Sequence, residues 1–182
     1  SKFIRGLRVT DKKIINIVES VLIDFNNDIV NSLKRFGTEA ISIHTKKNNI
    51  IEVIPEIKEL GYVGIPKKID NSLIEKILSK KRVPIISPLG LGNDNHPYNI
   101  NGDTAAGAIA KSLKSRRLLL MTNVEGVLDK DKKLINEISS SEVLKMLEDN
   151  TITEGMIPKI NTCLDAVENG VTAVGIIDGR KQ

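Results

Sequence analysis

Short apolar runs alternate with helical patterns along the chain, and this alternation limits the possible folds more than any other feature of the sequence. The runs are rich in Ile, Leu and Val and end at turn-forming residues, whereas the segments between them place apolar residues at helical spacing. Strands that alternate with helices are typical of α/β proteins built around a parallel sheet. We therefore predict a three-layer α/β/α sandwich with a mostly parallel central sheet.

The first third of the chain predicts two helices followed by a hairpin. Thr10 or Asp11 can cap a helix that runs to about Phe25, and a second helix runs from about Asp28 to Phe36. Gly37 follows as a C-terminal cap. Strand patterns at 40–43 and 50–54 flank a polar turn, which indicates a small hairpin.

The later part of the chain predicts a strand–loop–helix corner and a buried strand. The strand Val83–Ser87 leads through a loop rich in Gly, Asn and Pro to a helix that starts near Asp103, with Asp103 or Asn101 as its cap. Ligands bind at the carboxyl ends of parallel strands in open α/β sheets. The mostly apolar run Arg117–Met121 predicts a strand that is buried on both faces.

Composition narrows the classes of function. The formal net charge is +4, and aromatic residues make up 3% of the sequence. Few aromatic side chains are available to stack on bases, so we predict no nucleic-acid partner, and the basic balance suits an anionic small molecule. One cysteine and two histidines predict no disulfide and no metal site built from protein side chains. The sequence has no membrane-spanning run and no signal-peptide pattern, so we predict a cytoplasmic protein without a membrane partner.

Three separated loops carry the residues that suggest chemistry, namely Asn99–Thr104, Thr122–Val127 and Glu154–Lys159. Each follows a strand or begins a helix, so all three are expected at one edge of the sheet. Lys159 and Asp103 stand at helix starts, and Arg8 lies near the beginning of the chain. Phosphoryl transfer needs positive charge around the migrating group and a residue that holds this charge in place.

Each of these residues also has a purely structural interpretation. Lys159 and Arg8 could be solvated surface side chains, and Asn123 could be a turn former. Cys163 is expected to be a small core residue, and His44 a structural residue at the end of a strand. The sequence contains neither a Walker-type phosphate loop nor a dinucleotide-binding glycine motif.

Four segments in order carry a family resemblance. They are Arg5–Asp11, Tyr98–Ala106, Thr122–Val127 and Gly155–Lys159, and together they resemble the acetylglutamate kinases of the amino acid kinase superfamily. The likeness extends over essentially the whole chain, and the sequence GLRVT within the first segment points to this branch. The resemblance implies ATP-dependent phosphorylation of the side-chain carboxylate of N-acetyl-L-glutamate, which is the second step of arginine biosynthesis.

The resemblance also implies roles for individual residues. Arg8 would pair with a substrate carboxylate and Asn99 would hydrogen-bond the same substrate. Lys159 would stabilise charge on the transferring phosphoryl group, and Asp103 would hold the catalytic lysines in position. Mg²⁺ would be held mainly through the nucleotide phosphates. The residues implied in nucleotide binding are Thr122, Asn123, Val124, Gly126, Val127, Glu154, Gly155 and Met156.

The resemblance further implies a partial amino acid kinase domain over residues 1–182, with the substrate side at about 1–100 and the nucleotide side at about 101–182. The complete protein would be a homo-oligomer, either a dimer or a hexamer. Position 123 is Asn where the family usually has Asp. The family's N-terminal Gly-rich loops and C-terminal tail have no counterpart in this sequence, so we expect a fragment of a longer protein that is inactive alone.

Two alternatives stay open at this point. A related carboxylate kinase could act on an acetylated aminoadipate or on a carrier-linked substrate. A non-catalytic regulatory or binding module could have kept the fold without the phosphate loops.

Overall fold

Helix α1, Lys12–Arg35, is the longest element of the computed structural model, which describes residues 3, 4, 7–152 and 155–181. Asp11 begins the helix because its carboxylate accepts hydrogen bonds from the N–H groups of Lys13 and Ile14, at 2.8 and 2.9 Å. The prediction of two helices is wrong here, since one continuous helix runs through Asn26, whose buried side chain hydrogen-bonds the carbonyl of Ile85 and the hydroxyl of Ser87.

The end of α1 confirms the predicted role of Gly37. This glycine has φ 80°, and its N–H donates to the carbonyl of Lys34 while the N–H of Thr38 donates to that of Leu33. The two bonds form a Schellman motif, which satisfies the last carbonyls of the helix.

The chain divides into two compact units, Ser1–Ala105 and Ala106–Gln182. The first unit contains α1 and a set of mostly short strands. These are β1 Phe3–Ile4, β2 Leu7–Arg8, β3 Ala40–Ile43, β4 Ile51–Pro55, β5 Gly64–Ile69, β6 Val83–Ile86, β7 Leu89–Gly92 and β8 Pro97–Asn99, with a 3-10 turn at Lys58–Leu60 and helix α2 at Asn71–Ser79.

The strands of the first unit pair in three groups. β1 and β2 form an antiparallel pair, β3 and β6 form a parallel pair, and the order β5-β4-β7-β8 forms a mixed sheet. The predicted hairpin between β3 and β4 is therefore wrong, because β4 pairs with β5 and β7 and leaves β3 to pair with β6. Helix α1 packs on β3, β6 and β8, and Ile15 and Val30 on its inner face are buried.

The boundary between the units falls inside helix α3, Gly102–Ser112. The second unit continues with β9 Arg117–Thr122, α4 Ser140–Glu148, α5 Ile157–Glu168 and β10 Ala173–Asp178. β9 and β10 pair in parallel over their full length, with Thr122 opposite Asp178 at their carboxyl ends. The parallel pairs, with helices between the strands of each, confirm the predicted α/β class.

The strand β9 is covered on one face, and the prediction of burial on both faces is wrong. Leu118 and Leu120 are buried with Ala110, Ala166 and Val171 in one apolar cluster. Leu119 is 59% exposed and Met121 is 63% exposed on the opposite face. β9 therefore carries more apolar side chains than the second unit buries. These exposed apolar residues are the reason that the sequence pattern predicted a fully buried strand.

Candidate functional site

Arg8 is the last residue of β2, and its side chain is exposed. The backbone beside it is anchored by Thr10, which is completely buried and whose hydroxyl donates to the carbonyl of Arg8 at 3.0 Å. Thr10 also donates its N–H to Leu60 and accepts from the N–H of Tyr62, at 2.9 and 2.7 Å. Residues 5 and 6 of the predicted GLRVT-containing motif lie outside the described residues.

A glycine makes this close backbone approach possible. Gly61 has φ 69°, and a Cβ built on it would lie 2.4 Å from the carbonyl oxygen of Thr10. No side chain fits at that distance, so Gly61 lets the segment that follows Arg8 lie directly against the segment that contains Tyr62.

Asn99 is hydrogen-bonded to the same segment, the one that contains Tyr62. It ends β8, it is half-buried, and its N–H donates to the carbonyl of Tyr62 at 2.9 Å. The structure therefore brings the segments of Arg8 and Asn99 together along one stretch of backbone. The predicted corner after a parallel strand is wrong in detail, because the loop rich in Gly, Asn and Pro is the antiparallel β7–β8 hairpin.

Asp103 lies in the first turn of α3 and is half-buried. Asn101 is the residue that caps this helix, since its side-chain oxygen accepts from the N–H groups of Asp103 and Thr104 at 3.0 and 3.2 Å. Of the two residues predicted as the cap, Asn101 is therefore the one that caps the helix.

The loop after β9 contains most of the predicted nucleotide-binding residues. Thr122 ends the strand, and Asn123 and Val124 are exposed. Gly126 is buried with φ 145°, and a Cβ on it would lie 2.8 Å from Leu134. The loop therefore turns inward at a position that only glycine accommodates, and Val127 then packs into the unit.

Helix α5 and this loop share one apolar cluster. Val127, Met156 and Ile157 pack against one apolar cluster whose buried members are Val143, Ile152 and Ile160. Lys159 is the third residue of α5 and half-buried, and Gly155, which precedes the helix, is exposed. Glu154, also predicted to bind nucleotide, lies outside the described residues.

The start of α5 differs from the starts of α1, α2 and α4, each of which has a side-chain cap. Within the described part of the chain, no side chain caps α5. The positive end of the helix dipole and the Lys159 ammonium therefore place positive charge at the start of α5.

The structure thus gathers the predicted residues in two sets. Arg8, Asn99 and Asp103 belong to the first unit, whereas the 122–127 loop and Lys159 belong to the second. The idea that Arg8, Asp103 and Lys159 surround one ligand involves both units and stays a prediction.

Sequence reasoning missed a set of ion pairs beyond β10. The Asp178 carboxylate accepts from the backbone N–H of Arg180 and from its guanidinium, all at 2.9–3.0 Å. Hydrogen bonds from Arg180 hold the pKa of Asp178 at about 2, so this carboxylate is ionised at neutral pH. Lys181 donates to Glu125 of the 122–127 loop at 2.5 Å. The signal available in the sequence was the position of Asp178 at a strand end.

A large open groove lies elsewhere in the second unit. Its volume is about 860 Å³, and it runs beside β10 between α5 and residues 135–143. Of the predicted binding residues that the structure describes, only Val127 lines it. The groove is therefore not the predicted nucleotide site.

Among residues 3, 4, 7–152 and 155–181, no three His, Cys, Asp or Glu side chains lie together as a metal site would require. None of the helices in this described part combines the length and apolar character that a membrane crossing needs.

Comparisons with known proteins point to one family. The model of the amino acid kinase family matches residues 1–178. An acetylglutamate kinase from Pelagibacter ubique (strain HTCC1062) is 54% identical over 181 residues, which are 100% of this chain and 63% of that protein. An acetylglutamate kinase from Gluconobacter oxydans (strain 621H) is 42% identical, over 99% of this chain and 66% of that protein. The chain therefore spans a little under two thirds of the length of these relatives.

Solved structures share the fold. The structure of smu.665 from Streptococcus mutans UA159 matches with a TM-score of 0.89 and 34% identity, over 97% of this chain and 73% of that one. An N-acetylglutamate synthase from Neisseria gonorrhoeae matches with a TM-score of 0.88 and 23% identity, over 98% of this chain and 41% of that one. The second likeness concerns the fold alone.

Proposed function

The chain belongs to the amino acid kinase family, and from this premise we propose that it is part of an acetylglutamate kinase. The complete protein would transfer the γ-phosphoryl group of ATP to the side-chain carboxylate of N-acetyl-L-glutamate. This reaction gives N-acetylglutamyl 5-phosphate and ADP in the arginine biosynthetic pathway. It would take place in the cytoplasm, where ATP is available.

The reaction needs little covalent chemistry from the protein. A carboxylate oxygen of the acceptor attacks the γ-phosphorus, and the bond to the β-phosphate oxygen breaks. The acceptor is already an anion, so no general base is needed. The protein instead has to hold two anionic reactants together and to neutralise the charge that develops between them.

The residues of the chain divide between these tasks. Arg8 would bind an acceptor carboxylate with its planar guanidinium, and Asn99 would hydrogen-bond the same molecule. Lys159 would stabilise charge on the moving phosphoryl group. Asp103 would hold the ammonium groups in place, and residues 122–127 and 154–156 would contact the nucleotide.

One observation carries the nucleotide half of the proposal. Val127 and Met156 pack against the same apolar cluster, which sets the 122–127 loop beside the uncapped start of α5. The positive end of the helix dipole and the Lys159 ammonium suit the phosphates of ATP. Mg²⁺ would be held through those phosphates, because hard cations prefer oxygen ligands and can keep water and phosphate as most of them.

The decisive experiment uses the complete reading frame. The purified protein is incubated with ATP, Mg²⁺ and N-acetyl-L-glutamate, and hydroxylamine converts the acyl phosphate to a coloured hydroxamate. We expect hydroxamate that depends on both substrates. Product only with N-acetylaminoadipate would change the proposed acceptor, and no product with either would favour a non-catalytic module.

We also propose that the complete protein is a homo-oligomer that associates through α1. Ile17, Val21 and Phe25 lie one turn apart on this helix and are 63%, 58% and 61% exposed. Two copies of α1 crossing antiparallel about Val21 would join these stripes and bring Lys13 of each copy near Asp28 of the other.

Sedimentation analysis of the complete protein tests this association. Val21→Glu places a charge in the centre of the stripe and should shift the protein towards monomer, whereas Ser20→Glu on the neighbouring exposed position should not. An unchanged mass for Val21→Glu would contradict the α1 interface.

A further inference from the structure

The segment after β10 reaches across to the loop after β9. Thr122 and Asp178 are paired at the carboxyl ends of the two parallel strands, so both segments leave the sheet at the same place. The N–H of Gly179 donates to the carbonyl of Thr122 at 2.9 Å. Two residues further on, Lys181 donates to Glu125 at 2.5 Å.

These bonds matter because the loop has few others. Asn123, Val124 and Glu125 are exposed. Apart from the ladder between β9 and β10, the hydrogen bonds that join residues 122–126 to other described parts of the chain come from Gly179 and Lys181. The shape of the loop therefore depends on where residues 179–181 lie.

Asp178 fixes that position. Its carboxylate is only 4% exposed and binds the backbone N–H, the Nε and one terminal nitrogen of Arg180. The bidentate contact with the guanidinium holds the turn at Gly179 closed. This closed turn directs Lys181 towards Glu125.

On the basis of the nucleotide-binding role proposed above for residues 122–127, we infer that four residues hold this loop in the shape that binds ATP. These residues, which we call the clamp, are Glu125, Asp178, Arg180 and Lys181. They act as positioning residues for ATP, through the loop backbone. A loop that is ordered before binding loses less conformational entropy when the nucleotide arrives.

The clamp should affect nucleotide affinity more than turnover. Glu125 and Lys181 are 54% and 64% exposed, and exposed ion pairs contribute modestly. We therefore expect Lys181→Glu to raise the KM for ATP roughly two- to five-fold, because it replaces attraction with repulsion of Glu125. The kcat and the KM for the acceptor should change less than two-fold.

The exchanged pair provides the sharpest test in the complete protein. Glu125→Lys combined with Lys181→Glu restores opposite charges and should return the KM for ATP to within about two-fold of the original. Hydrogen exchange of the amides of residues 123–126 should accelerate in the single variant and slow again in the double variant. Lys111→Glu, which breaks the pair with Asp165 in the same unit, is the matched control and should leave the KM for ATP unchanged.

The outcomes separate this inference from the proposed function. If the unaltered complete protein forms no hydroxamate and binds no ATP, the proposed function fails. If it is active and Lys181→Glu leaves the KM for ATP unchanged, the clamp is wrong. If Lys181→Glu raises this KM and the exchanged pair fails to restore it, Lys181 acts on the nucleotide directly and the positioning role is also overturned.

Discussion

The two parallel strand pairs differ at their carboxyl ends: polar side chains hydrogen-bond one another at one of them, and exposed loops follow the other. Near the carboxyl ends of β3 and β6, the amide of Asn26 donates to the carbonyl of Ile85 at 2.8 Å and to the hydroxyl of Ser87 at 3.1 Å, and it accepts from Ser42 at 2.7 Å. At the carboxyl ends of β9 and β10, the chain opens into exposed loop residues.

The comparison shows that strand topology alone does not make a site. Both pairs present the end at which α/β proteins bind ligands. At β3 and β6 the polar groups are already paired with one another, and Asn26 and Ser87 are buried, so their hydrogen-bonding capacity is used for stability. At β9 and β10 the loop residues 123–125 are exposed, and among the described residues no side chain caps the start of α5.

The largest expected effect is on catalysis near the carboxyl ends of β9 and β10, which we call the open end. Lys159→Ala in the complete protein should lower kcat by about 10²–10³, because a preorganised charge on the transferring group is lost. Asp103→Asn should lower kcat by a similar factor, since it is proposed to hold that charge in place. Hydroxamate formation measures both, and Lys145→Ala on the exposed face of α4 is the control. A kcat within two-fold of the original for Lys159→Ala would remove its proposed role.

At the carboxyl ends of β3 and β6, which we call the closed end, substitutions should change the free energy of unfolding instead. Asn26→Ala leaves the hydroxyl groups of Ser42 and Ser87 and the carbonyl of Ile85 without this partner, and it should cost about 2 kcal/mol of unfolding free energy. Asn27→Ala changes the exposed neighbour and should cost less than about 0.5 kcal/mol. Urea unfolding of the complete protein distinguishes them. Equal midpoints for the two variants would mean that the network does not seal these strands.

Local signals in the sequence predicted much of the fold correctly. The cap at Asp11, the C-terminal motif at Gly37 and the strand at 40–43 depend on neighbouring residues, and the structure has all three. Pairing is a long-range property, and this is why the β3–β4 hairpin was wrong. The chain does turn here, between the hydrogen-bonded residues His44 and Lys47, but the parallel partner of β3 lies some forty residues further along the chain.

The features of the candidate site also divide into those that local signals predict and those that depend on contacts between distant residues. Lys159 at a helix start and the loop after β9 could be predicted, because strand ends and helix starts are local features. The approach of Thr10 to Tyr62 and the bond from Lys181 to Glu125 could not, because each joins residues that are distant in the sequence. Which residues use their polar groups internally, as Asn26 does, also depends on contacts that no motif records.

The smallest expected effect concerns pH at the closed end. His44, which follows β3, is buried, and within the described residues its Nδ1 has no hydrogen-bond partner. Burial lowers its pKa, with Lys47 and Lys46 acting in the same direction and Glu19 opposing them. As pH falls below about 6.5, the unfolded chain binds a proton at His44 and the folded chain resists it, so stability decreases.

His44→Phe removes both the titration and the unpaired nitrogen. Urea midpoints measured at pH 8 and pH 5 should therefore differ less in this variant than in the unaltered complete protein. His96→Gln, which removes the other histidine in the β7–β8 loop, should keep the original difference. If His44→Phe keeps it as well, the acid sensitivity arises elsewhere, and the closed end is held by Asn26 without a titrating neighbour.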